Sequence, residues 1–255
     1  MESFLPRGYH IGFTDACGAK YALLPGDPGR VESIARLLEN PRFHAQNREY
    51  TSWLGEVGGE TVLVMSTGMG GPSTAIAVEE LAVAGVKTLL RVGTCGGMDL
   101  GVMGGDVVIA NAAIRMEGTT REYAPLEFPA VADLEVTNAL VLAADALSAQ
   151  RHVGVVHCKD SFYGQHDPAR MPIAGELQSK WDAWVRAGAL ASEMESAALY
   201  IVAGTLRLRA GCVLMAVWNQ ERARLGLPNT DSHDTTLACR VAVEAVKILI
   251  EKEVC

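Results

Sequence analysis

Leu23-Leu24-Pro25-Gly26-Asp27-Pro28-Gly29-Arg30 reads as a strand running into a tight turn and out into a helix. Gly26 and Gly29 bound the turn, and Pro28 stands at the first helical position, where a missing N–H costs nothing. Backbone N–H groups at such a turn point outward at the positive end of a helix, a ready place for phosphate or another anion. Arg30, in the first helical turn, can fold back over that place. Read alone, the octapeptide fits an ordinary strand-to-helix turn with a surface arginine equally well.

The pattern recurs twice. Ser66-Thr67-Gly68-Met69-Gly70-Gly71-Pro72-Ser73-Thr74 again follows a β-branched strand and opens a helix. It departs from G-x-G-x-x-G, and no acidic ribose-binding residue follows at the required distance, which argues against a dinucleotide site. No G-x-x-x-x-G-K-[ST] occurs either, so the chain does not read as a P-loop nucleotidase. Leu89-Leu90-Arg91-Val92-Gly93-Thr94-Cys95-Gly96-Gly97 places an arginine and a threonine hydroxyl at the end of a buried strand. A charge there needs an anion, from the protein or from a ligand. Since ligands of open α/β sheets sit outside the carboxyl ends of the strands, three such turns point to one shared anion pocket.

Around these turns, apolar runs predict strands over 21–24, 61–66, 88–92, 107–110, 153–158 and 212–218. Helical periodicity predicts helices over 28–38, 72–84, 133–147, 175–186, 195–205 and 234–252. This alternation is that of an α/β fold with a largely parallel sheet. Segments 117–133 and 160–173 read as long loops, and no repeat or linker divides residues 1–255, so one domain is expected.

The 255 residues are 49% hydrophobic and 20% charged, which supplies a core and excludes general disorder. With Lys plus Arg at 22 against Asp plus Glu at 30, the net charge of -8 argues against nucleic acid as a partner. Residues 1–7 lack an apolar leader and no apolar run approaches a membrane span, so a soluble, cytoplasmic protein with no membrane partner is expected. Cys17, Cys95, Cys158, Cys212, Cys239 and Cys255 show no metal-ligand spacing and read as reduced thiols.

Two further stretches carry chemistry. Glu193-Met194-Glu195 ends another strand; two carboxylates around a thioether suit a sugar, though Met194 fits equally as core and Glu195 as a favourable first-turn residue. Asp160-Ser161-Phe162-Tyr163-Gly164-Gln165-His166 joins aromatics to an amide, as recognition of a planar heterocycle requires. His10 and His233 remain ambiguous between structural and functional roles.

Taken together, Pro25-Gly26-Asp27-Pro28-Gly29-Arg30, Thr67-Gly68-Met69-Gly70-Gly71-Pro72-Ser73-Thr74, Arg91-Val92-Gly93-Thr94 and Glu193-Met194-Glu195-Ser196 resemble the nucleoside phosphorylase family, most closely its uridine phosphorylase branch. The resemblance runs from about His10 to the final helix and includes Ala124-Pro125-Leu126-Glu127-Phe128-Pro129-Ala130-Val131. It implies a three-layer α/β/α sandwich around a central mixed, largely parallel sheet. It also implies reversible phosphorolysis of uridine to uracil and ribose 1-phosphate, with phosphate as co-substrate and no cofactor required.

Carried over by motif, Gly26, Arg30, Arg91 and Thr94 would hold phosphate, with Arg48 reaching in from a neighbouring subunit. His10, also from the neighbour, Thr94, Glu193, Met194 and Glu195 would hold ribose. Thr94, Gly96, Phe162 and Gln165 would hold the base, with His166 or Arg170 standing in for the arginine that known bacterial members place after the glutamine. Arg30, Arg91, Glu195 and Gln165 would carry the reaction. Members of this branch are usually hexamers, trimers of dimers with shared active sites. Some hold a potassium ion at the dimer interface, at positions matched by Glu49, Met69 and Ser73. Asn219 stands where the purine branch has an acidic proton donor, which favours a pyrimidine. The competing expectations are a purine or broad-specificity phosphorylase and a non-catalytic nucleoside-binding protein.

Overall fold

The computed structural model describes residues 8–254, so the amino-terminal heptapeptide and Cys255 lie outside the described residues. Among the described residues ten strands occur in chain order: β1 (Tyr21–Pro25), β2 (Glu39–Asn47), β3 (Tyr50–Val57), β4 (Glu60–Met65), β5 (Thr88–Gly97), β6 (Val107–Met116), β7 (Ala130–Val131), β8 (Arg151–Lys159), β9 (Ala191–Glu193) and β10 (Arg209–Asn219). The helices are α1 (Val31–Ala35), α2 (Gly71–Val83), α3 (Leu134–Ala146), α4 (Phe162–His166), α5 (Ala174–Arg186), α6 (Ser196–Thr205), α7 (Gln220–Arg224) and α8 (Thr236–Val254).

All strands join one sheet, ordered β10-β6-β8-β9-β5-β1-β4-β3-β2, with β7 on β6 and a further β10–β5 pairing that closes one end on itself. Parallel pairings tie β4, β1, β5 and β10, and again β6, β8 and β9. Antiparallel pairings join these blocks and add the β2–β3–β4 meander. The sheet is therefore mixed, as expected, within an α/β architecture.

Along β1 and β4 the side chains alternate between two cores. Ala22, Leu24, Leu63 and Met65 join α2 and α6, whereas Tyr21, Leu23, Val62 and Val64 join α1, α3 and α8. Burial on both faces explains why these strands read as continuous apolar runs. Each of the six strands expected from those runs is present. The helix expected over 28–38 divides into a 3-10 turn, Pro28–Arg30, and the short α1, because the chain leaves helical geometry to start β2. The expected loops hold small elements: a 3-10 turn Thr119–Glu122 and β7 in one, α4 and a 3-10 turn Pro168–Arg170 in the other. Among the described residues no helix is long and apolar enough to cross a membrane. Cys17, Cys95, Cys158, Cys212 and Cys239 are free thiols, all but Cys17 buried.

Candidate active site

Because β1, β4 and β5 run parallel, the turns after β1 and β4 and the glycine-rich end of β5 meet at one end of the sheet. Arg91, on β5, is the centre. Its guanidinium lies over Gly93, two residues farther along its own strand, and the glycine makes this possible: a Cβ there would stand 2.7 Å from Arg91 Nη2 and 2.9 Å from Leu214 Cδ2. Arg91 Nε donates to Glu193 Oε2 at 3.1 Å, and Nη2 pairs with Glu195 Oε2 at 2.5 Å. The protein thus supplies anions to this buried cation. Burial works against the Arg91 charge, but the two carboxylates outweigh it and hold the guanidinium above its ordinary value.

The two carboxylates have different surroundings. Glu193, expected at the sugar, is instead enclosed beneath Arg91, with its side chain 1% exposed. Besides Arg91, it accepts from the N–H groups of Glu195 and Ser196 and from the Ser196 hydroxyl at the start of α6. Burial opposes its ionisation, yet Arg91 and these donors hold it below the usual carboxylate range. Glu195 Oε1 accepts from Gly70 N–H at 2.6 Å. Gly70 precedes α2 at φ 90°, a conformation that glycine adopts without steric cost. Burial, helped by the like charge of Glu193, pushes the Glu195 carboxyl up against the pull of Arg91. A carboxylate has about four lone-pair sites, so Glu195 keeps acceptor capacity for a ligand.

On the other side of Arg91 lies the Gly26 turn. A Cβ on Gly26 would stand 3.9 Å from Arg91 Nη1 and 3.2 Å from the Gly68 carbonyl oxygen, so the three glycine-rich segments converge. Arg30 folds over the same region. Its Nη1 is buried without a hydrogen-bond partner, and its nearest acidic group, Asp27, is 3.9 Å from Nε. Burial, then the charge of Arg91, lowers the Arg30 guanidinium. Arg30, part-buried, thus keeps one enclosed donor unsatisfied beside a second cation, which suits it to meet an anion. Thr94, half-buried, follows on the same strand, and Met194 lies half-buried between β9 and α6.

Antiparallel pairing of β5 with β9 sets Gly96 opposite Ser192. Ser192 Oγ donates to Gln165 Oε1 at 2.6 Å, and Gln165 Nε2 donates to Gln220 Oε1 at 2.8 Å, which fixes the amide. Gln165 and His166 line a cavity of ≈ 430 Å³ together with Lys159, His157, Gln220 and Trp181. Phe162, half exposed, packs on His166 at 4.3 Å between ring centroids. Lys159, Ser192 and Gln220 were not singled out from the sequence as site residues. Lys159 carried a usable signal, a charge at the end of a buried strand, the same one that marked Arg91.

Other expected residues stand elsewhere. Arg170, expected near the base, is exposed, pairs with Asp167 at 2.9 Å and lies over the Tyr163 ring, outside the cavity lining. His10 is bound through Nδ1 to Glu80 at 2.6 Å, and Arg48, exposed in the β2–β3 turn, lies over Tyr9. Neither makes a hydrogen bond to the Arg30–Arg91–Glu195 group among the described residues. Glu49 and Ser73 do converge: a Cβ on Gly68 would meet Glu49 Cγ at 2.9 Å and Ser73 Oγ at 3.2 Å, and Ser73 Oγ donates to Met69 O. His233 is exposed beside Asp231.

A model of the phosphorylase superfamily matches residues 20–251. The chain is 52% identical to a uridine phosphorylase of Treponema pallidum over 96% of this chain and 95% of that protein. It is 42% identical to a uridine phosphorylase of Escherichia coli over 95% of this chain and 98% of that one. A guanosine phosphorylase of Halorubrum lacusprofundi is 38% identical over 89% of this chain and 93% of its own length.

Proposed function

The chain belongs to the phosphorylase superfamily, and on that premise we propose that it is a uridine phosphorylase, splitting uridine with orthophosphate into uracil and ribose 1-phosphate, reversibly. The observation that carries this reading is the part-buried Arg30, with its orphaned donor, next to the enclosed Arg91 and a buried carboxylate, Glu195, that retains acceptor capacity.

In this reading phosphate sits against the Gly26 turn, Arg30, Arg91 and Thr94, with Arg48 added by a neighbouring subunit. Glu195 takes the ribose hydroxyls, Met194 lies against the sugar, and His10 of the neighbour approaches its far end. Gly96, Phe162, Gln165 and His166 frame the base. Breaking the glycosidic bond develops positive charge on the ribose and negative charge on the base, so a fixed dianion on one side of the sugar and donors around the base lower the barrier together. Glu193 acts by positioning Arg91. No covalent residue and no cofactor is required.

A pyrimidine is preferred to a purine on the state of Asn219. Its Nδ2 donates to the Asp99 and Val102 carbonyls at 2.7 and 2.9 Å, and its Oδ1 accepts from Arg222 N–H, so this amide holds backbone and has no proton to deliver. A potassium ion with a structural role at the proposed dimer contact is supported by the gathering of Glu49 and Ser73 around Gly68, with the Ser73 hydroxyl on the Met69 carbonyl, since these residues offer oxygen donors. Association between copies is supported by β2, an edge strand whose first five residues are exposed, and the trimer of dimers is the form that the resemblance implies.

Ultraviolet detection of free base from uridine and from inosine, each with and without phosphate, tests the reading. Phosphate-dependent uracil release is expected. Release of hypoxanthine in its place would move the chain to the purine branch, and release of neither would favour a nucleoside-binding protein.

A further inference from the structure

Lys159 closes β8 inside the cavity that Gln165 lines, and it is 5% exposed. Enclosed lysines are rare unless paired with an acid. Among the described residues its hydrogen-bond partners are the Ser192 hydroxyl at 2.9 Å and the Glu193 carbonyl at 3.4 Å, neither of them a carboxylate. An ammonium has three N–H donors, so one is left for the cavity. The other basic groups nearby are otherwise engaged. Arg224 pairs with Glu221 at 2.6 Å and Arg170 with Asp167 at 2.9 Å. Burial, with the charge of Lys159, pushes His157 down to about 4, so it is neutral at neutral pH. Ser192 Oγ accepts from Lys159 and donates to Gln165 Oε1, so one hydroxyl orients both groups toward the same space.

Building on the nucleoside-cleaving reading above, we propose that Lys159 is the cationic donor that receives the negative charge of the departing base. The C1′–N1 bond breaks with its electron pair passing to the base, where it spreads over N1, O2 and O4. A phosphate oxygen forms the new C1′–O bond. Lys159 keeps its protons and donates one hydrogen bond to a base oxygen as that oxygen gains charge. The proton shed by the incoming hydrogen phosphate balances the one that the uracil anion takes from water on release.

The test compares wild type with Lys159→Met and Lys159→Gln on uridine and on 5-fluorouridine, whose leaving base is the stronger acid and needs less stabilisation. Wild type is expected to release both bases. The variants are expected to lose roughly 100-fold in kcat on uridine and only about tenfold on 5-fluorouridine. A structural lesion alone would lower both substrates alike. A folded variant that falls equally on both, or that keeps wild-type kcat on uridine, overturns the role of Lys159. Wild-type protein that releases neither base overturns the nucleoside reading itself, so the two failures are distinct.

Discussion

Arg30 and Arg91 give two meanings to a buried positive charge beside one pocket. Arg91 is held by two buried carboxylates, so Arg91→Ala leaves Glu193 and Glu195 facing each other without a cation. That variant is expected to lose about 3–5 kcal/mol of stability along with its activity. Arg30 has no close partner, so Arg30→Ala is expected to leave thermal unfolding nearly unchanged while kcat/KM for phosphate falls about 100-fold or more. Steady-state kinetics against phosphate, paired with a melting curve, checks both; an Arg30 variant with unaltered phosphate dependence contradicts the anion site. These residues were legible because glycine turns and strand ends announce them. Ser192 and Gln220 were not, since a lone serine or glutamine gains meaning only when β9 and α7 are brought against α4.

At the scale of elements, Gly93 shows how a strand makes room for its own side chain. Gly93→Ala is expected to cost about 1–3 kcal/mol, because the new methyl meets both Arg91 and Leu214, and to reduce activity by displacing the guanidinium. Denaturant unfolding measures the first effect and turnover the second; wild-type values for both would show that Arg91 is not held by this contact. The strands beside it were readable from their apolar runs because both faces are buried. The β2–β3 hairpin was not: β2 lies at the sheet edge, carries Pro41 and is mostly exposed, so it has no apolar alternation to display. Likewise the helix expected over 28–38 overran α1, because the apolar spacing of Val31, Ile34 and Ala35 continues to Leu38, in the turn before β2.

For the molecule as a whole, His157 couples pH to stability. The unfolded chain takes up this proton near 6.5 and the folded chain near 4, so between them the unfolded state binds more protons. Stability is intact above pH 6.5 and falls as pH drops toward 4, by on the order of 3 kcal/mol from this group. His157→Gln is expected to flatten that part of the melting profile; an unchanged slope would place the acid sensitivity elsewhere. Assembly has its own test. In the proposed assembly Arg48 and Arg30 meet in one site from different subunits, so mixing inactive Arg48→Ala and Arg30→Ala chains under subunit exchange is expected to restore part of the activity. No recovery would mean that each chain carries a whole site. The most direct measurement of the central claim is phosphorus NMR of the protein with uridine and orthophosphate. The account predicts a ribose 1-phosphate signal growing in step with uracil, and uracil release with free ribose and unchanged phosphate would contradict it.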